Sequence, residues 1–440
     1  MLLAVTERDA YANLMLPRLL ARRGLSGRDA ALATELSYGT LRGRGSYDAI
    51  LAVCADRDLG ALDPVVREVL RLGAHQLLAT RIQPHAAVAT SVDLVKDAVG
   101  PRPAGLVNAV LRRVASRDLV GWLEVAAPAP TADPAGYLAV RYSHPRWIVE
   151  ALSAALGVAD CSEPELAAVL AADNERPAVH LCAPPGLAGL DELVAAGAAP
   201  ARWSPFGAYL IDGDPAAVPA VAAGRAGVQD EASQLAALAL TRVPVTGPDK
   251  LWLDVCAGPG GKARLLAALA ADADATLLAA EIREHRARLV AAAVARSRLC
   301  RVVAADGTAP AWALGRFDRV IVDVPCTGLG ALRRRPESRW RRSAADVTAL
   351  HTLQRDLLAR ALDSARPGGV VGYVTCSPHI AETRDVVVDV LAGRRDASVL
   401  DAPALIDVPD VACGPDGHFV QFWPHRHGTD AIFLALLRRH

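Results

Sequence analysis

Lysine is nearly missing from this chain: of 48 basic residues only Lys96, Lys250 and Lys262 are lysines, the rest being arginine. Aromatic residues are scarce too, at 4%. The eight cysteines (54, 161, 182, 256, 300, 326, 376 and 413) contain no C-x-x-C spacing. That speaks against zinc or any other bound metal and against a disulfide framework, and it fits reduced thiols in a cytoplasmic protein. No segment supplies the roughly 18 unbroken apolar residues of a membrane span. The opening MLLAVTERDAYANL breaks its apolar residues with acids, so no signal peptide is expected. Net charge is zero, so overall charge announces no nucleic-acid partner, and any basic surface must be local. Internal repeats and long disordered tracts are absent as well. What is there is a globular composition, 52% apolar over 440 residues, enough for two to four domains with ample core.

The most informative stretch is LWLDVCAGPGGK, Leu251 to Lys262. Its apolar start reads as a buried strand, Gly258, Pro259, Gly260 and Gly261 read as a turn, and Leu265, Leu266 and Leu269 open a helix. Strand, glycine turn and helix build a ligand site at the carboxyl end of a strand. A phosphate-cradling loop is excluded twice, by Cys256 at its first glycine and Ala263 after Lys262. A dinucleotide fingerprint survives only in its variant form, with Ala263 in the third glycine place, and a purely structural turn stays open. Against the latter, one of only three lysines stands directly after the glycines, where a compact ammonium is of use.

Taken in order, residues 1–128 show helical spacing throughout, as in Val65, Val66, Val69, Leu70 and Leu72, and predict an all-helical domain with a mild basic excess. Arg112 and Arg113 suit either RNA phosphate or the carboxyl end of their own helix. The linker AAPAPTADPAG (126–136) marks a domain boundary, and 137–224 reads as a small α+β domain without a chemical motif. From 229 to 440, strands at Leu251–Val255, Thr276–Ala280, Arg301–Ala305, Arg319–Val324 and Val370–Thr375 alternate with helices, and Ile432–Leu437 closes the series. Such alternation predicts a doubly wound, mostly parallel α/β sheet.

Ligands meet such a sheet at the carboxyl ends of its strands. Those ends carry Asp254 to Lys262, Glu281, Asp306, Asp323 to Cys326, and Thr375 to Ser377. Glu281 is placed to accept from the ribose hydroxyls of an adenosine-type cofactor or of NAD. A free cysteine is usually an inert small apolar residue, and Cys54, Cys161, Cys182, Cys300 and Cys413 are read so. Cys326 and Cys376 differ, because both follow strand ends among turn residues. Two thiols meeting beside a cofactor suggest covalent catalysis with a second proton-handling group.

DVCAGPGGK, DVPCTGLG and TCSPHIAE, in that order, resemble the motifs of the Nol1/Nop2/Sun RNA cytosine-C5 methyltransferases. LRRRPESRW, VQDEAS and HGTDAIFLALLRR resemble further family segments, and LRLGAHQLL, IQPHAAVATSVDLVK and GLVNAVLRR resemble a NusB-like RNA-binding domain. That pairing is characteristic of the type B methyltransferases of small-subunit ribosomal RNA. The resemblance covers nearly the whole chain, thinning at about 120–225. It implies a Rossmann-like methyltransferase domain behind a NusB-like domain, S-adenosylmethionine as cofactor, ribosomal RNA as partner, and C5 of cytosine as target. Transfer RNA or large-subunit RNA, a nicotinamide-dependent oxidoreductase and a non-catalytic RNA-binding protein are the alternatives. The oligomeric state is not set by the sequence, and a monomer fits.

The resemblance also implies roles. Cys376 is the nucleophile and Cys326 assists its release; DNA cytosine methyltransferases use the Pro-Cys cysteine, so exchanged roles are the natural rival. Cys256, Ala257, Gly258, Pro259, Gly260, Gly261 and Lys262 cradle the cofactor, with Glu281 on the ribose, Asp306 near the adenine, and Asp323 at the methionine end or facing the cytosine. Arg333, Arg334, Arg335, Arg339, Arg341 and Arg342 are expected to meet RNA phosphate. Three departures stand out: Ala263 for a hydroxyl residue, Glu281 for aspartate, and Thr383 where asparagine is frequent.

Overall fold

The computed structural model describes residues 1–158, 161 and 163–440. The chain forms two compact units, Met1–Glu175 with Leu332–Ser343, and Arg176–Ala331 with Ala344–His440.

The first unit is helical. Pro64–Ala79 shows how such a helix is written: Asp63 caps Val65 N, Pro64 fills the first turn, and Val66, Val69, Leu70 and Ala74 form the buried stripe. That stripe joins Ile50, Leu51, Val88, Val95, Val107 and Leu111 in one core. Arg113 donates to Cys54 O of a neighbouring helix and Arg112 to Asn108 Oδ1, and both side chains are exposed. Helices Pro134–Arg141, Arg146–Leu156 and Pro164–Ala172 group with this compact unit, which runs to Glu175.

The arginine-rich segment corrects an expectation. Leu332–Ser343 groups with the helical unit, and Arg339 is fully buried there. Its guanidinium donates to Ser143 O, Asp173 O, Asn174 Oδ1 and Arg42 O at 2.7–3.3 Å. Arg341 donates to Val5 O and, in a short bond, to Ala10 O. These two arginines serve carbonyl groups instead of RNA phosphate; Arg335 is exposed.

The second unit begins with a small antiparallel sheet of β1 (Val179–Cys182), β2 (Ala198–Pro200), β3 (Gly207–Leu210) and β4 (Gly227–Val228), in the order β2-β3-β1-β4. It is tied to the helix Glu231–Arg242, which Asp230 caps. The Glu231 carboxylate accepts from Trp203 N, Ser204 N and Tyr209 OH, and Gln234 donates to Leu181 O.

The large sheet holds β5 (Leu251–Asp254), β6 (Thr276–Glu281), β7 (Cys300–Ala304), β8 (Phe317–Asp323), β9 (Ala365–Thr375), β10 (Ala397–Leu400), β11 (Ala412–Cys413), β12 (Phe419–Gln421) and β13 (Phe433–Arg439). Its order is β11-β12-β13-β9-β8-β5-β6-β7, with β10 beside β13. The five strands from β9 to β7 are parallel, as expected; β13 adds antiparallel pairing at β9. Strands β10, β11 and β12 escaped the sequence reading because each has only two to four residues. Side chains alternate between two cores: Ile321, Val370 and Val374 face one layer of helices, and Val320, Val322, Val371 and Tyr373 the other. The order reverses at β5, with β6 on one side and β8 on the other, which puts a crevice at their carboxyl ends.

Candidate active site

Strand β5 ends in Asp254, and the chain then turns through Gly258 and Gly260 into the helix Gly261–Asp272. A Cβ on Gly258 would stand 2.1 Å from Glu281 Oε2, and one on Gly260, where φ is +113°, 2.6 Å from Ala293 Cβ. Only glycine leaves this room. Ala257 N donates to Ala280 O and Arg286 donates to Gly258 O at 2.6 Å, fixing the turn against β6. Glu281, buried at the end of β6, accepts from Arg283 N at 2.9 Å. Burial, followed by the charges of Asp254 and Asp323, pushes the Cys256 thiol far up, so this cysteine contributes its backbone to the turn and an inert side chain.

Acid accumulates beneath the turn. Asp254 is buried, with one oxygen 3.3 Å from Cys256 N and the other, Oδ2, without a hydrogen-bond partner. Burial and then the neighbouring Asp323 raise its pKa to about 7, against the pull of Lys262. Lys262 Nζ lies 2.8 Å from Asp323 Oδ2. Burial works against that ammonium, but Asp323, and after it Cys376 and Asp254, hold its pKa above the ordinary value. Asp306 stands apart at the end of β7; it is exposed and accepts from Thr308 N and Oγ1 of its own turn.

The two cysteines meet. β8 and β9 run parallel in register, Asp323 opposite Val374, and Val324 N donates to Val374 O. The chain leaves both strands at the same level, so Cys326 Sγ and Cys376 Sγ stand 3.3 Å apart. The hydrogen bond to Cys376, then burial, then the charges of Cys376 and Glu382 push the Cys326 thiol well up. The two sulfurs share a hydrogen bond, and the Lys262 ammonium acts on Cys376. Gly330 allows the loops to close, since it donates to Cys376 O at 2.8 Å and a Cβ there would lie 2.0 Å from Ala431 O.

The residues in place suit a cationic cofactor. The side-chain-free turn leaves room for an adenosine-type molecule, and the carboxylate of Glu281 beside it is of a kind that can accept from ribose hydroxyls. An orphaned buried oxygen on Asp254, together with Asp323, favours ammonium and sulfonium groups and opposes the pyrophosphate of a dinucleotide. S-adenosylmethionine fits this chemistry better than NAD.

The same acids have a cost in stability. Asp254 has a folded pKa above its unfolded value, so its charged form is the disfavoured one. The penalty is absent below about pH 4, grows as pH rises, and is complete above about pH 7. A rise from 3.8 to about 7 corresponds to about 4 kcal/mol. Thermal unfolding of ligand-free Asp254→Asn should therefore show a higher melting temperature than the unmodified chain at pH 8 and a much smaller difference at pH 5.

Several residues of the site went unremarked in the sequence. Glu382 is fully buried and accepts from Thr327 N at 2.8 Å, from Thr327 Oγ1 in a short bond, and from Gln354 Nε2 at 3.2 Å. Gln354 also donates to Pro325 O at 2.9 Å. Glu382 and Thr327 lie inside the quoted motifs; Gln354 carries no local signal, sitting in the middle of the helix Ala344–Ser364.

A family model described as 16S rRNA methyltransferase RsmB/F matches residues 244–438, and a NusB family model matches residues 1–116. A methyltransferase of Mycobacterium tuberculosis strain H37Rv, whose name assigns no substrate, is 52% identical over 437 residues, covering 99% of this chain and 94% of its own. Ribosomal RNA small subunit methyltransferase B of Pseudomonas putida is 33% identical over 414 residues, covering 91% and 89%. The crystal structure of a protein designated PH0851 superposes with a TM-score of 0.81 at 20% identity, covering 100% of this chain and 97% of that one, a likeness of fold.

Proposed function

The chain belongs to the RsmB/F family of S-adenosylmethionine-dependent RNA cytosine-5 methyltransferases, and on that premise we propose that it methylates C5 of a cytosine in small-subunit (16S) ribosomal RNA, with Cys376 as nucleophile. The observation that carries the reading is the meeting of the two thiols, 3.3 Å apart, with Lys262 bonded to Asp323 three residues before Cys326. The ribosomal target is supported by the 33% identical relative named for it and by the NusB family match at residues 1–116.

Cytosine C5 is a weak nucleophile. When the Cys376 sulfur adds to C6, electron density moves to C5, which becomes enamine-like. Cys256 to Lys262, with Glu281 at the ribose, would hold S-adenosylmethionine, which would supply an electrophilic methyl group. Asp323, bonded to Lys262, stands between the cofactor turn and the cysteines. Once C5 carries the methyl, a base removes its proton and the electron pair expels the Cys376 sulfur. Cys326, still a thiol, donates a hydrogen bond to that sulfur as it leaves. The target base must leave its stack to reach the thiol. This reading implies a cytoplasmic enzyme.

The test is methyl transfer from labelled S-adenosylmethionine to deproteinised small-subunit RNA, with transfer RNA and large-subunit RNA alongside. Labelled 5-methylcytosine in the small-subunit RNA alone is the expected result. Labelling of another RNA class instead would move the substrate while leaving the chemistry. Binding of NAD in preference to S-adenosylmethionine would overturn the cofactor.

A further inference from the structure

Two loops must be held together for two thiols to share a proton, and the group that holds them is charged. Glu382 lies on the turn Ile380–Glu382 that follows Cys376, yet its carboxylate grips Thr327, the residue after Cys326. Gln354 closes the frame by donating both to Glu382 and to Pro325 O, the residue before Cys326. Tyr373 OH donates to Glu382 O at 2.7 Å and anchors the turn to β9. The carboxylate accepts from three donors and donates to none, the pattern of an ionised group. Ser377 Oγ lies 3.3 Å from Thr327 Oγ1, so hydroxyls from both cysteine loops line up toward the same charge.

The charge is set on one side of the pair. It is bonded to the backbone amide next to Cys326, while Lys262 is bonded to Asp323 on the cofactor side. We propose that Glu382 is a positioning residue whose buried charge, held against the Cys326 loop, keeps the shared proton on Cys326 and makes Cys376 the sulfur that attacks. The inference rests on Cys376 being the nucleophile. It adds a residue that touches neither cofactor nor base but decides which of two adjacent sulfurs reacts. A carboxylate that merely stitched the loops could be replaced by any group making the same hydrogen bonds. A carboxylate acting through its charge could not.

The experiment is alkylation of the full chain with iodoacetamide across pH 6.5 to 8.5, with the modified peptides quantified by mass spectrometry. In the unmodified chain Cys376 should react well ahead of Cys326. Glu382→Gln keeps the shape and removes the charge; the Cys376-to-Cys326 ratio should fall about tenfold, the equivalent of one pKa unit, and kcat for methyl transfer should fall with it at unchanged KM for S-adenosylmethionine. Thr327→Val removes one stitch and leaves the charge, so Cys376 should keep its lead. An unchanged ratio in Glu382→Gln, or an equal fall in both variants, overturns the proposal and leaves Glu382 a structural tie. Should Glu382→Gln fail to fold, loss of the Cys376 lead in Thr327→Val overturns it alone. If Cys326 reacts first in the unmodified chain, the nucleophile assignment itself fails, an outcome distinct from the others.

Discussion

Cys326→Ala protein, incubated with S-adenosylmethionine and substrate RNA, is expected to migrate as a covalent protein–RNA species on a denaturing gel. Cys376→Ala protein should form no adduct and transfer no methyl group. The two outcomes follow from the geometry at the ends of β8 and β9. Removing the Cys376 sulfur removes the bond to C6, and without that bond C5 stays unreactive. Removing the Cys326 sulfur leaves attack intact but takes away the hydrogen-bond donor 3.3 Å from the departing sulfur. Loss of a hydrogen bond to a charged sulfur, about 1.5–3 kcal/mol, slows a step by roughly 10- to 100-fold, enough for the intermediate to accumulate. If Cys376→Ala traps the adduct, the sulfurs have exchanged roles and Cys326 in its Pro-Cys context is the nucleophile. If neither variant forms an adduct while the unmodified chain still methylates, the reaction does not pass through either thiol.

The parts of this site that were legible in the sequence are those whose meaning is local. Gly258 to Lys262 reads as a turn into a helix because of its glycines, and the structure shows why two of them are needed: Glu281 leaves no space for a side chain at Gly258, and Ala293 none at Gly260, where φ is +113°. The parallel core was legible because Val320 to Val322 and Val370 to Val374 are apolar on both faces, the mark of a strand covered by helices on each side. What could not be read is whatever depends on meetings across the chain. Lys262 and Asp323 are 61 positions apart, and Glu382 meets Thr327 across 55. Nothing near Gln354 says that it will bridge two loops. The short strands at the antiparallel edge were missed because two to four residues carry no period.

The arginine-rich segment is the instructive failure, and it yields the largest expected effect on stability. Six arginines in a stretch of ten positions look like a phosphate-binding surface, yet Arg339 is the largest fully buried side chain of the described residues. Its planar fork suits several carbonyls at once, and three chain segments around Arg42, Ser143 and Asp173 present them. Burial lowers its pKa to about 10, opposed by Asp173, so it stays charged at neutral pH. Arg339→Ala would strand those carbonyls and leave a cavity. A loss of about 3–5 kcal/mol is expected, seen as a fall in melting temperature of roughly 10 °C. Arg339→Lys keeps the charge but cannot serve four acceptors in three directions, so it should recover only part of the loss. A surface arginine that met RNA phosphate would behave otherwise: both variants would melt normally, and RNA binding would weaken with a reduced dependence on salt. Calorimetry of the full chain beside RNA titrations at two salt concentrations separates these cases. The carbonyl-bound geometry requires the stability loss to appear in the absence of any RNA.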